Sequence, residues 1–225
     1  MRSGADRTAK ARIRDAAISC IAEHGVADTT ARKVAEIAGV SPGLVIHHFG
    51  SMEALREACD DYVADTIRAS KEKAMAEGPN LDVLAALREV GSEPFGAYLA
   101  EVLVEDSPAV VRLVDELVAD AEQYLQQGVD AGMIRPTSNP RARAVTLMIW
   151  GLGTFVLHRH VERLLGVDLT DPAAMRSPTF AAYAAPVYEL YGNGFLTDAA
   201  AANMQAAIAG IARTPDPTIE AEGTT

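Results

Sequence analysis

The strongest local constraint in this chain is Gly39-Val40-Ser41-Pro42, the centre of residues 30–49. Val34, Ile37 and Ala38 form an apolar stripe at helical spacing before it. Val40, Val45 and Phe49 form another after it. Gly39 supplies the positive φ that closes a short helix. Ser41 offers a hydroxyl to cap the next helix, and Pro42 falls at its first position, where a missing N–H costs little. Each stripe carries two or three sizeable apolar groups, too few to fold alone, so both must pack on each other and on a third element. Helix, tight turn, second helix is the helix-turn-helix arrangement that places a helix in a DNA groove.

A net charge of −11 over 225 residues argues against nucleic acid until its distribution is read. Residues 1–50 carry seven Lys or Arg and five acids, net +2, and the remainder is net −13. A mildly basic head on an acidic body fits a DNA module joined to one that does not touch DNA. Apolar residues make up 49% of the chain, β-branched runs are short, and Pro and Gly cluster at a few breaks. An all-α protein with a substantial core is expected. The longest apolar run, Val145 to Leu157, spans 13 residues with two glycines and two threonines. A membrane span needs about 18. With no leader-like start, the chain reads as cytoplasmic and not membrane-bound.

Residues 1–8 read as a polar arm. A first helix follows to His24, burying Ile13, Ala17, Cys20 and Ile21, with Arg7, Lys10, Arg12 and Arg14 available to a phosphate backbone or to solvent. Thr29-Thr30 caps the second helix and Ser51 caps a long fourth one, from Met52 to about residue 76, with Leu55, Cys59, Tyr62, Val63 and Ile67 inward. Further helices are expected near 81–90, 93–104, 108–131, 140–165, 172–192 and 198–213, then a disordered tail over 214–225. The division predicted is a helix-turn-helix head, 1–51, a helical-bundle body for ligand binding and dimerisation, 52–213, and that tail.

The first 65 or so residues resemble the TetR family of bacterial transcriptional regulators. The resemblance lies in Ala16-Ala17, Gly25, Thr29-Thr30, Val34-Ala35, Ala38-Gly39-Val40-Ser41, Gly43, His47-His48-Phe49, Ser51, Glu53 and Leu55. It implies a homodimer that binds a palindromic double-stranded operator through paired third helices. It also implies release by a small-molecule inducer bound in the body, most often as a repressor. By the same resemblance Thr30 meets phosphate, Ser51 belongs to the DNA-binding set, and Arg32, with Lys33 beside it, reaches a base edge or phosphate. Ser41, Pro42, Gly43 and Leu44 open the recognition helix, and His47 and His48 contact backbone and groove floor. Two positions depart from the pattern. Ile46 stands where a phosphate-binding Tyr is common, and Met52 where a Lys is. Each lost phosphate contact lowers the salt dependence of binding by about one log–log unit. These departures keep an alternative open, a helical small-molecule-binding or scaffold protein whose head has weakened or lost DNA reading.

Ligand sites are mostly apolar with a few polar groups. Phe95, Tyr98, Tyr124, Met148, Trp150, Phe155, His158 and Tyr183 are candidate pocket residues, with plain core or dimer packing as the competing reading of each. His158 and His160, two apart, do not share a helix face, so no metal site is expected. Cys20 and Cys59 read as buried thiols, with a redox pair as the alternative. No nucleophile elbow, phosphate loop or metal-hydrolase motif occurs, and the carboxylates are scattered as on solvated faces. Neither an enzyme nor a cofactor is expected.

Overall fold

The computed structural model describes residues 4–80 and 93–193. They form nine α-helices and no strand: α1 (Gly4–His24), α2 (Ala31–Ala38), α3 (Pro42–Phe49), α4 (Met52–Glu77), α5 (Phe95–Val102), α6 (Pro108–Asp130), α7 (Pro140–Val156), α8 (His158–Leu165) and α9 (Phe180–Asn193). The helices expected over 81–90 and 198–213, the break at Gly91-Ser92 and the tail 214–225 lie outside the described residues. Packing separates the chain into two units, residues 1–180 and 181–225.

In the first unit α1 packs on α2 and α5, α2 on α3, α4 on α6, and α6 on α7. One apolar core runs through Ile13, Ala17 and Cys20 of α1, Val34 of α2, Val45 of α3, Leu55 and Val63 of α4, Leu99 of α5, and Leu113 and Leu117 of α6. Burial of each Val, Leu or Ile side chain among these contributes about 1.5–3 kcal/mol. The core is continuous across residue 51, so α5 and α6 help to hold the three-helix head. A smaller cluster, Ala121, Tyr124, Leu125 and Ala144, joins α6 to α7. The second unit is described over 181–193. There Pro186 sits inside α9, and the Tyr188 and Tyr191 rings meet edge to face with centroids 6.5 Å apart.

Four expectations need correction. The arm over residues 1–8 is helical from Gly4, because Ala5, Ala9, Ala11 and long polar side chains carry high helix propensity with no breaker among them. Ile37 is 50% exposed; the inward stripe of α2 runs through Ala31, Val34, Ala35 and Ala38, and position 37 falls beside it. The helix expected over 140–165 breaks at Leu157, with φ −99° and ψ 15°. One turn earlier, Thr154 Oγ1 donates back to the Gly151 carbonyl at 2.6 Å, the kind of bond that bends helices. Residues 172–179 are turns and a single 3-10 turn, with the helix starting at Phe180. The Asp168 carboxylate takes the Thr170 N–H, the Asp171 carboxylate takes that of Ala173, and the Ser177 hydroxyl takes that of Thr179. Side chains that bond local backbone in this way compete with helix.

Candidate nucleic-acid interface

The turn between α2 and α3 closes as its chemistry requires. Gly39 lies in the left-handed region at φ 65°, ψ 40°, and the Val40 N–H returns to the Ala35 carbonyl at 2.9 Å. Ser41 Oγ accepts the Leu44 N–H at 3.3 Å with Pro42 at the first helical position. Thr30 Oγ1 accepts the Lys33 N–H at 3.3 Å, and Ser51 Oγ accepts that of Ala54 at 3.0 Å. Each side chain satisfies a donor that the helix start leaves free. Thr29 instead donates to the Gly25 carbonyl at 2.8 Å and fixes the entry to α2.

These caps hold α3 with Val45 inward and Pro42, Gly43, Ile46, His47 and Gly50 outward. The outward set follows the i, i+3, i+4, i+7 spacing of one helix face. Leu44 and His48 are half-buried at its edges, and Ile46 is 40% exposed. Thr30, Arg32, Lys33 and Ser41 are exposed, and Ser51 is half-buried at its cap. Met52 packs against the main core, so apolar contact occupies the position where a phosphate-binding Lys was expected. Lys10 and Arg12 are exposed on α1, and the Lys10 ammonium sits 5.2 Å from the Phe49 ring centroid. Arg14, open in the sequence to phosphate or to solvent, is engaged within the fold. Its guanidinium lies 3.3 Å from the Tyr62 ring centroid and bonds Asp15.

Beneath the head, a polar knot ties α4 to α5. Asp60 is 3% exposed and Tyr98 fully buried. The Tyr98 hydroxyl donates to Asp60 Oδ1 at 2.6 Å. Arg56 Nε bridges Asp60 at 3.1 Å while its Nη1 reaches Glu105 Oε2 at 3.1 Å. Its Nη2 is buried without a hydrogen bond. Burial raises the Asp60 carboxyl above its ordinary value, partly offset by the Tyr98 bond and the Arg56 charge. Burial also pushes the Cys59 thiol up to about 12, with Asp60 adding to the shift. Its Sγ–H faces the Arg14 carbonyl at 3.7 Å. A thiol so held is a poor nucleophile, which supports the buried-thiol reading. Asp60 corrects the expectation that every carboxylate is solvated. Its signal was positional: with Arg56 it flanks the Leu55–Cys59–Val63 stripe at i, i+4.

Residues 13–59 match the model of bacterial regulatory proteins of the tetR family, and residues 92–197 match the tetracyclin repressor-like C-terminal domain. The HTH-type transcriptional regulatory protein RaaS of Mycobacterium tuberculosis is 42% identical over 201 residues, 89% of this chain and 92% of that one. The chain belongs to the TetR family of bacterial transcriptional regulators. A TetR-family regulator from Rhodococcus sp. superposes with a TM-score of 0.52 at 24% identity, over 78% of this chain and 96% of that one. FadR of Bacillus subtilis, solved with stearoyl-CoA, gives 0.53 at 19%, over 83% and 99%. These two share the fold.

The candidate ligand residues of this TetR-family chain fall in several places. Phe95 meets Tyr62 edge to face at 6.1 Å, and with Met148, Leu152 and Phe155 it lies half-buried on the main core. Tyr124 is buried, its hydroxyl 3.7 Å from Met148 Sδ. Tyr98 lines no open space, because its ring is sealed and its hydroxyl committed to Asp60. Trp150 is 59% exposed on the outside of α7, since an apolar run does not itself say which face turns inward. His158 borders a shallow hollow of about 280 Å³ with Ala100, Glu101, Val104 and Leu157. Tyr183 lies on α9, in the second unit. Among the described residues no three His, Cys, Asp or Glu come together as metal ligands. No described helix is long and apolar enough to cross a membrane.

Proposed function

We propose that the outward face of α3 enters the major groove of a palindromic operator and that the chain acts there as a ligand-released repressor in the cytoplasm. The observation that carries this reading is the capped α2–α3 unit, which presents Pro42, Gly43, Ile46 and His47 on one exposed face. Arg32 and Lys33 stand exposed at the start of α2, as base-edge and phosphate contacts. Thr30, Ser41 and Ser51 keep their hydroxyls at helix starts, beside backbone N–H groups that suit phosphate. Leu44 and His48 edge the same surface.

A homodimer supplies the second half-site. Its support is the outer stripe of α7, where Ile149, Trp150 and Val156 are 61%, 59% and 43% exposed and Gly151 and Gly153 leave open space above the helix. Exposed apolar groups in one stripe mark a contact surface. An apolar inducer has its best support at Phe95, Met148, Leu152 and Phe155, half-buried apolar side chains where α5 meets α7. Ordering of those side chains by a ligand biases α5, and the Tyr98–Asp60 bond carries that bias to α4 and the head. Coupling of this kind is typically about 1–3 kcal/mol. Selection of bound sequences from random duplex DNA with the purified protein tests the reading. An inverted repeat is expected at low salt, and recovery of no repeat would overturn it.

A further inference from the structure

We propose that Lys10, seated over the ring of Phe49, is a positioned phosphodiester contact at the C-terminal end of the recognition helix. The inference rests on the DNA reading above and adds to it a residue from outside the helix-turn-helix unit. Three observations carry it. Phe49 is the last residue of α3, and the Lys10 ammonium lies 5.2 Å from its ring centroid. Lys10 belongs to α1, two turns from that helix's start, and its side chain is exposed. Met52, the first residue of α4, is turned into the core and brings no charge to this end of α3.

The physics favours a held cation here. A ring face attracts an ammonium. That contact restricts a side chain that would otherwise sample many rotamers, so less freedom is lost when a phosphate arrives. Lysine suits the task because its ammonium is a compact point charge that binds a phosphate from many directions. Arg12, two residues on, is exposed as well, but residues two apart on a helix face away from each other. Lys10 therefore supplies from α1 the charge that α4 lacks.

The test uses a fluorescein-labelled duplex carrying the inverted repeat recovered by selection, titrated from 50 to 300 mM KCl with full-length wild type, Lys10→Gln, Lys10→Arg and Arg12→Gln. Thermal melting is followed alongside. In Lys10→Gln the slope of log affinity against log salt should fall by about one per protomer, and binding at 0.1 M salt should weaken by roughly an order of magnitude per protomer. Lys10→Arg should keep the wild-type slope. An unchanged slope in Lys10→Gln, with only a lower melting temperature, reduces the contact to a structural staple and overturns the inference alone. An equal fall in Arg12→Gln marks diffuse charge and also overturns it. Wild type that binds no duplex at 50 mM salt overturns the DNA reading and this inference together.

Discussion

Tyr98→Phe removes a single oxygen from the centre of the fold, and its consequence can be worked from the structure. The ring is fully buried and stays packed, so no cavity forms beyond the hydroxyl itself. What is lost is a 2.6 Å donor to a carboxylate that is 3% exposed. Asp60 keeps Arg56 Nε, at 3.2 Å from Oδ1 and 3.1 Å from Oδ2, so the ion pair survives. The cost is therefore one hydrogen bond to a charged acceptor, about 1.5–3 kcal/mol. For a chain of this size that is roughly 6 °C in melting temperature, and about 3 °C at the low end. Thermal and urea melts followed by circular dichroism measure it. A shift below about 1 °C, with the near-ultraviolet spectrum unchanged, would refute the claim that this bond ties α4 to α5.

The same knot sets a pH dependence. Asp60 binds its proton more tightly folded than unfolded, because burial raises its value above the ordinary 3.8. The stabilisation from that proton is complete below 3.8 and is lost as pH rises through the folded value. Urea melts of wild type and Asp60→Asn from pH 3.5 upward should show wild type losing ground to the variant across that interval, and a constant difference would contradict the assignment. On the outer face of α7, Trp150→Glu places a charge where two protomers are proposed to meet. Sedimentation velocity should show a folded monomer at concentrations where wild type is dimeric, and an unchanged dimer would move the interface elsewhere.

How much of this was legible in the sequence follows from the range of the interactions concerned. The head was readable because its determinants are local. Thr30, Ser41 and Ser51 cap helices that begin within one residue of them, and Gly39 closes a turn over five. The pairing in the knot was not readable: Tyr98 and Asp60 are 38 residues apart, and the place of Asp60 beside an apolar stripe does not name its partner. The partner of Arg14 was hidden for a similar reason, since the ring that holds it belongs to Tyr62 on another helix. The turns over 172–179 defeated periodicity because Asp171 and Ser177 bond their own backbone. Trp150 faces outward because an apolar run is apolar on every side, and only its packing on α5 and α6 decides which side is used.

The head's claim to DNA is tested most directly through Arg32, exposed in the first turn of α2. The measurement is the affinity of wild type and Arg32→Ala for the selected repeat, and for versions with single base pairs exchanged across each half-site. The account predicts that wild type discriminates by about 1–3 kcal/mol at one or more positions, and that Arg32→Ala loses that preference while keeping its fold. Equal binding of every duplex by both proteins would contradict it.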